Sequence, residues 1–184
     1  MNTTKLQAEL NETLRKVGRN VLHFQRMESI LKYLVSHSNI EGTAKNLKEN
    51  HKKNINSVSQ KTMGNLVKDM FTSIYSAKEE ESPTAEDFDK AIIKISFKVD
   101  ADPVYVEQKK LALEKIVTER NTLIHQTLSN LDQTSIESCQ KLSVTLDEQA
   151  ERLKPEFEDI RSLAKALHEG TKKAFEAWEK EYNT

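Results

Sequence analysis

The chain has 184 residues, enough for one domain with a real core, and carries 28 Lys+Arg against 29 Asp+Glu. Its hydrophobic share of 36% is low and its charged share of 31% is high, with only four Gly, three Pro and one Cys. That mix favours long, exposed helices and excludes collagen-like, mucin-like and disulfide-scaffold classes. The lone Cys139 has no partner within the chain, which points to a reducing, cytoplasmic setting. The start, MNTTKLQAEL, lacks the basic and apolar regions of a secretory leader, and no run of 18 apolar residues predicts a membrane span. Charge is unevenly placed. Residues 1–76 hold 12 Lys+Arg against 6 Asp+Glu, and the remainder holds 16 against 23. A basic first part of this kind suits phosphate or an acidic partner.

Residues 3–37 read as one helix, with a bend allowed at Gly18. Leu10, Val17, Phe24 and Leu31 recur every seven residues, and Leu14, Val21, Glu28 and Val35 supply a second row four residues on. Together they predict a heptad-like seam on a helix about 50 Å long. Glu28 stands out in that row, because an unpaired charge is costly to bury; it is expected to be buried and to meet a cation such as Arg120. Residues 42–60 are polar and basic, either an exposed helix or a long connection. No aromatic residue lies between Tyr33 and Phe71. Nucleic acid would therefore be held there through phosphate, by Lys45, Lys48, Lys52 and Lys53, and not by base stacking. Residues 62–76 show a 3.6-residue period and predict a short helix.

Residues 77–87 read as a surface loop. The alternation of Ile93, Ile95, Phe97 and Val99 with Lys94, Ser96 and Lys98 predicts one short extended or hairpin element near 92–99. Asp102-Pro103 is a helix start, and the helix is expected to run to Leu131. Residues 133–181 predict two more helical segments divided at Pro155, with Phe157, Ile160, Leu163, Leu167, Phe175 and Trp178 as the apolar face of the second. The expected fold is all-α: an elongated antiparallel bundle of long helices, one domain over 1–184, with a basic part at 1–76, a helix at 103–131 and C-terminal helices at 133–181.

Familiar catalytic motifs are missing. The sequence has no P-loop, no GxGxxG, no Gly-x-Ser-x-Gly, no CxxC and no HExxH, and His23, His37, His51 and His168 lack ligand spacing. No metal site or cofactor is expected. One segment stands apart, Glu119-Arg120-Asn121-Thr122-Leu123-Ile124-His125. Arg120 continues the row Leu113, Ile116, Val117, Ile124, Leu128, so its guanidinium is drawn inward and needs acceptors. Asn121 and His125 are four apart and share a face. Arg120 and His125 are five apart, about 140° around a straight helix. Arg161 and His168 form a second, wider pair, with Ser162 after the Arg and in acidic surroundings.

The segment from Arg120 to His125 resembles the signature of the HEPN superfamily, an Arg followed after four to six residues by His on a helix, often with Asn directly after the Arg. The resemblance implies a helical bundle and a metal-independent RNA endonuclease of a toxin or defence system. It further implies a homodimer in which two motifs face one cleft. Arg120 and His125 would be catalytic, with Asn121 orienting; a cognate antitoxin or other partner protein is a further expectation. Glu119 and Glu28 are candidates to hold Arg120. The other reading of the same residues is a non-catalytic helical module that binds nucleic acid or a partner protein.

Overall fold

The computed structural model describes residues 2–43, 45–75 and 92–182. In chain order the elements are α1 (Asn2–His37), β1 (Asn39–Thr43), α2 (Leu47–Ser59), α3 (Met63–Ile74), β2 (Ile92–Ser96), α4 (Pro103–Thr122), a π-helical turn (Leu123–Thr127) and α5 (Ile136–Tyr182). Among the described residues the fold is all-α apart from one small two-stranded sheet. The chain divides into two compact units, each drawn from separate stretches. Unit 1 is Met1–Glu28 with Leu111–Asp159, and unit 2 is Ser29–Lys110 with Ile160–Thr184.

In unit 1 the long helices α1 and α5 run in the same direction. Gln140 Nε2 donates to Glu9 Oε1, Lys16 reaches Asp147 at 2.6 Å, and the ring of Phe157 stands edge-on to His23. Helix α4 runs opposite to α5, with Glu119 at Arg152 and Leu123 in one groove with Leu142. The seam of α1 is offset by one residue from the expected second row. The row that is buried with Val17, Phe24 and Leu31 is Thr13, Met27 and Leu34 together with Asn20. Leu14, by contrast, is 46% exposed and Glu28 is half-buried, at the margin of the seam. The second row lies three residues on, and the seam position that was expected to hold a carboxylate holds Met27. The polar members of the true seam are satisfied. The Thr13 hydroxyl lies 2.9 Å from the Cys139 carbonyl oxygen and 2.9 Å from Ser143 Oγ. Asn20 Nδ2 donates to the Leu146 carbonyl (2.8 Å) and to Gln149 Oε1 (2.9 Å). Such groups must pair to be buried without penalty.

Unit 2 is built on a more apolar core: Leu31, Leu34, Val58, Met63, Leu66, Val67, Met70 and Ile74 are all buried. Thr62 opens α3 by accepting from the Asn65 amide, and Asp102 Oδ1 opens α4 by accepting from the amides of Val104 and Tyr105. Most of the 42–60 stretch is an exposed helix, α2, with Val58 its buried residue, whereas Gly42 and Thr43 before it lie in β1. β1 pairs antiparallel with β2, Asn39 opposite Ser96 and Thr43 opposite Ile92, a pairing within one chain between segments distant in sequence. Gly42 is required by close approach: a Cβ there would sit 2.7 Å from Asn46 Oδ1 and 2.9 Å from Leu47 Cα.

Two expected boundaries shift. The helix expected to reach Leu131 keeps α-geometry only to Thr122 before the π turn. The two expected C-terminal segments are one helix, α5, with Pro155 inside it. Pro155 and Glu151 are both exposed, and Pro155 has no amide to donate to the Glu151 carbonyl. The 77–87 loop and the Trp178 side chain lie outside the described residues.

Candidate active site

The segment 119–127 sits where α4 gives way to the π turn, all within unit 1. Leu113, Ile116 and Leu123 are buried, and Arg120 falls on the same row, spaced seven, four and three residues from them. Arg120 is half-buried accordingly, and its Nη1 donates to Asn121 Oδ1 at 2.9 Å. Asn121 and His125 are both exposed. No sequence breaker marks the π turn. Its signature is the Leu128 amide bonding back five residues to the Leu123 carbonyl at 3.3 Å. A π turn advances less angle per residue than an α turn, which rotates His125 back toward the face of Arg120 relative to a straight helix. The chain thus departs from regular helix between the Arg and the His of the motif.

Glu119 faces the other way. Its Oε1 accepts from Arg152 Nε at 3.0 Å, its side chain is 16% exposed, and its Oε2 is buried with no hydrogen-bond partner. It lines a groove of about 320 Å³ between α4 and α5, with Lys115, Thr122, Leu123, Leu142, Gln149 and Arg152 among the other walls. Arg120, Asn121 and His125 are not in that lining. The structure therefore brings Arg120, Asn121 and His125 onto one short segment and assigns Glu119 to Arg152. Glu28, expected to be buried, is half-buried, for the reason that its row is offset from the seam.

Lys45, Lys48, Lys52 and Lys53 are all exposed, at the start of α2 and along it, in unit 2. Lys53 is bonded to Glu49 at 2.7 Å and so carries less free charge than its neighbours. The sequence reading missed the cations of the groove, Lys115 and Arg152. Their signal was available: Lys115, Glu119 and Thr122 recur at helical spacing on α4, and Thr145, Gln149 and Arg152 on α5.

Two histidines outside this segment are buried enough to change their chemistry. Burial, helped by Arg26, Arg19 and Lys154, holds His23 below the ordinary imidazole range. Burial also lowers His37, opposed by its hydrogen bond with the Tyr33 carbonyl and reinforced by His51, whose ring lies edge-on at 4.7 Å. Among the described residues, no group of three or more His, Cys, Asp or Glu gathers as a metal site, and no helix is long and apolar enough to cross a membrane. No protein-family profile, curated protein or solved structure matches this chain.

Proposed function

We propose that the chain is a cytoplasmic, metal-independent RNA endonuclease of HEPN type, working as a homodimer, with Arg120 and His125 at its reaction centre. The observation that carries this reading is the arrangement at the end of α4: a guanidinium on the core row, an exposed Asn bonded to it, and an exposed His on a π turn. In the proposed reaction the RNA 2′-OH attacks the adjacent phosphorus, the bond to the 5′-oxygen breaks, and a 2′,3′-cyclic phosphate and a 5′-OH result. One proton leaves the 2′-oxygen and one reaches the 5′-oxygen. Imidazole, which gains and loses protons near neutral pH, is suited to that transfer. Arg120 would hold the non-bridging oxygens through its fork of donors as charge builds on them. Asn121, already bonded to Arg120, would keep the fork oriented. A second protomer would supply a second imidazole, so that base and acid are separate groups.

The test is cleavage of total RNA by purified wild type, Arg120→Ala and His125→Ala. Activity in the wild type that survives EDTA and is lost in Arg120→Ala supports the reading. Wild-type and variant proteins that cut alike would reject it. A second reading, a non-catalytic module that binds nucleic acid or a partner protein such as an antitoxin, draws on the exposed lysines of α2. It predicts salt-dependent RNA binding without cleavage.

A further inference from the structure

The outer face of α1 in unit 1 carries an uncharged stripe, on which Asn11 Oδ1 accepts a hydrogen bond from Gln7 Nε2. Asn11, Leu14, Gly18, Leu22 and Gln25 are all exposed, Leu14 by 46% and Leu22 by 53%. At about 100° per residue they fall within a sector of about 80°, well away from the buried seam, and span about 21 Å. No charged residue lies in that sector between Asn11 and Gln25, in a chain that is 31% charged. Arg15, at the sector's edge, has its guanidinium tied to Glu12 by two hydrogen bonds of 2.7 Å. Gly18 stands at the centre. A Cβ there would meet nothing within 4 Å, so the chain's own packing does not require glycine, although glycine weakens a helix interior. Gly170 is equally open but is flanked by Glu169, Lys172 and Lys173, with no such stripe around it.

The stripe is also symmetric about Gly18. Leu14 and Leu22 stand four residues to either side, and Asn11 and Gln25 seven to either side. A two-fold axis through an antiparallel helix pair brings residue i of one copy against residue 36 minus i of the other. Gly18 then meets Gly18, Leu14 meets Leu22, and Asn11 meets the amide of Gln25. Such self-complementarity is what an isologous interface requires, and a glycine at the crossing lets two backbones approach closely. We infer that this face of α1 is the docking surface for a second copy of the chain, paired antiparallel about Gly18. The inference concerns this face alone and does not depend on RNA cleavage: cross-linking reads the one, and nuclease assays the other.

Helix axes about 8–10 Å apart, with Cα atoms about 2.3 Å from each axis, leave the two copies of residue 18 about 3.5–5.5 Å apart, and the wider half of that range overlaps the Cα separation of about 4.4–6.8 Å that a disulfide spans. The test is oxidative cross-linking of the full chain in a glutathione redox buffer. The natural Cys139 is fully buried and gives no background. Gly18→Cys should form a disulfide dimer with itself. Leu14→Cys and Leu22→Cys should each cross-link poorly alone and well when mixed. Val144→Cys, exposed on α5, is the control. Gly18→Arg should abolish dimer in light scattering while the far-UV circular dichroism stays helical, because its side chain enters open space and arginine favours helix. Gly18→Cys linking no better than Val144→Cys, or Leu14→Cys linking to itself better than to Leu22→Cys, would overturn the proposal. So would a Gly18→Arg protein that is still dimeric.

Discussion

The two units bury different chemistry. Unit 2 closes over Leu34, Leu66, Met70 and Ile74, with Ser36 and Ser38 as its buried polar side chains among the described residues. Unit 1 closes over α1 and α5 with Thr13, Asn20, Ser143 and Gln149 in the seam, each tied to a partner on the facing helix. An apolar seam of two long helices can slide by a heptad at modest cost, whereas one with Asn20 set against Leu146 and Gln149 cannot, because a slip leaves those groups buried and unpaired. The unit with the fixed register is also the one that carries Arg120, Asn121 and His125. The contrast is between a core filled mainly by apolar side chains and a seam whose register is set by paired polar groups.

Truncation separates them most sharply. Leu34→Ala in unit 2 should destabilise by about 2–5 kcal/mol, read by urea unfolding, since a fully buried leucine leaves a cavity. A loss below 1 kcal/mol would mean that this core is loosely packed. Gly42→Ala should come next, at about 1–3 kcal/mol, because its Cβ would press on Asn46 and on the backbone of Leu47. A neutral Gly42→Ala would show that the β1–α2 junction can move apart.

In unit 1 the effect should depend on pairing more than on volume. Asn20→Leu strands Gln149 Oε1 and should cost about 1–3 kcal/mol. Adding Gln149→Leu should recover much of that loss, since both partners are then apolar. Additive losses in the double variant would break the distinction drawn here.

The smallest effect is with pH, and both units share it. Burial lowers the pKa of His23 and His37 in the folded protein below that of the unfolded chain. The unfolded state therefore takes up protons first as pH falls through about 6.5. The stability owed to these residues should be complete above that pH and decline below it toward the folded values. Thermal melts from pH 8 to pH 5 should show a falling midpoint, shallower in His23→Gln and in His37→Gln. A midpoint that rises over the same range would contradict the burial of both rings.

The sequence made some of this legible. Long helices, the α4 start at Asp102 and the position of Arg120 on an inward row all follow from spacing and capping chemistry. The α1 seam was legible only in half. Leu14 and Val21 were as apolar as any true seam residue, and nothing in a pattern of apolar residues says that Thr13 and Asn20 are the buried ones; their partners, 126 to 130 residues away, decide it. Helix breakers misled in both directions. Pro155 lies inside an unbroken α5, whereas Leu123–Thr127 departs from α-geometry with neither Gly nor Pro. The strand near Ile93 was visible as alternation, but its partner at Asn39–Thr43 was hidden in a polar stretch, because pairing there depends on contacts distant in sequence. Within the candidate site, residue types and order were readable, and the side of the helix that each one takes was not: Glu119 turns to Arg152, away from the acceptor role first assigned to it.

The central claim is that the end of α4 carries phosphate chemistry, and product analysis on RNA tests it most directly. Wild-type protein incubated with total RNA in EDTA should release fragments ending in a 2′,3′-cyclic or 3′ phosphate, and should leave DNA intact for want of a 2′-OH. Arg120→Ala should be inactive, His125→Ala slower by about 10²–10⁴-fold as for a lost general acid–base group, and Asn121→Ala affected less. Cleavage of equal rate in wild type, Arg120→Ala and His125→Ala, or products with a 3′-OH, would contradict the account.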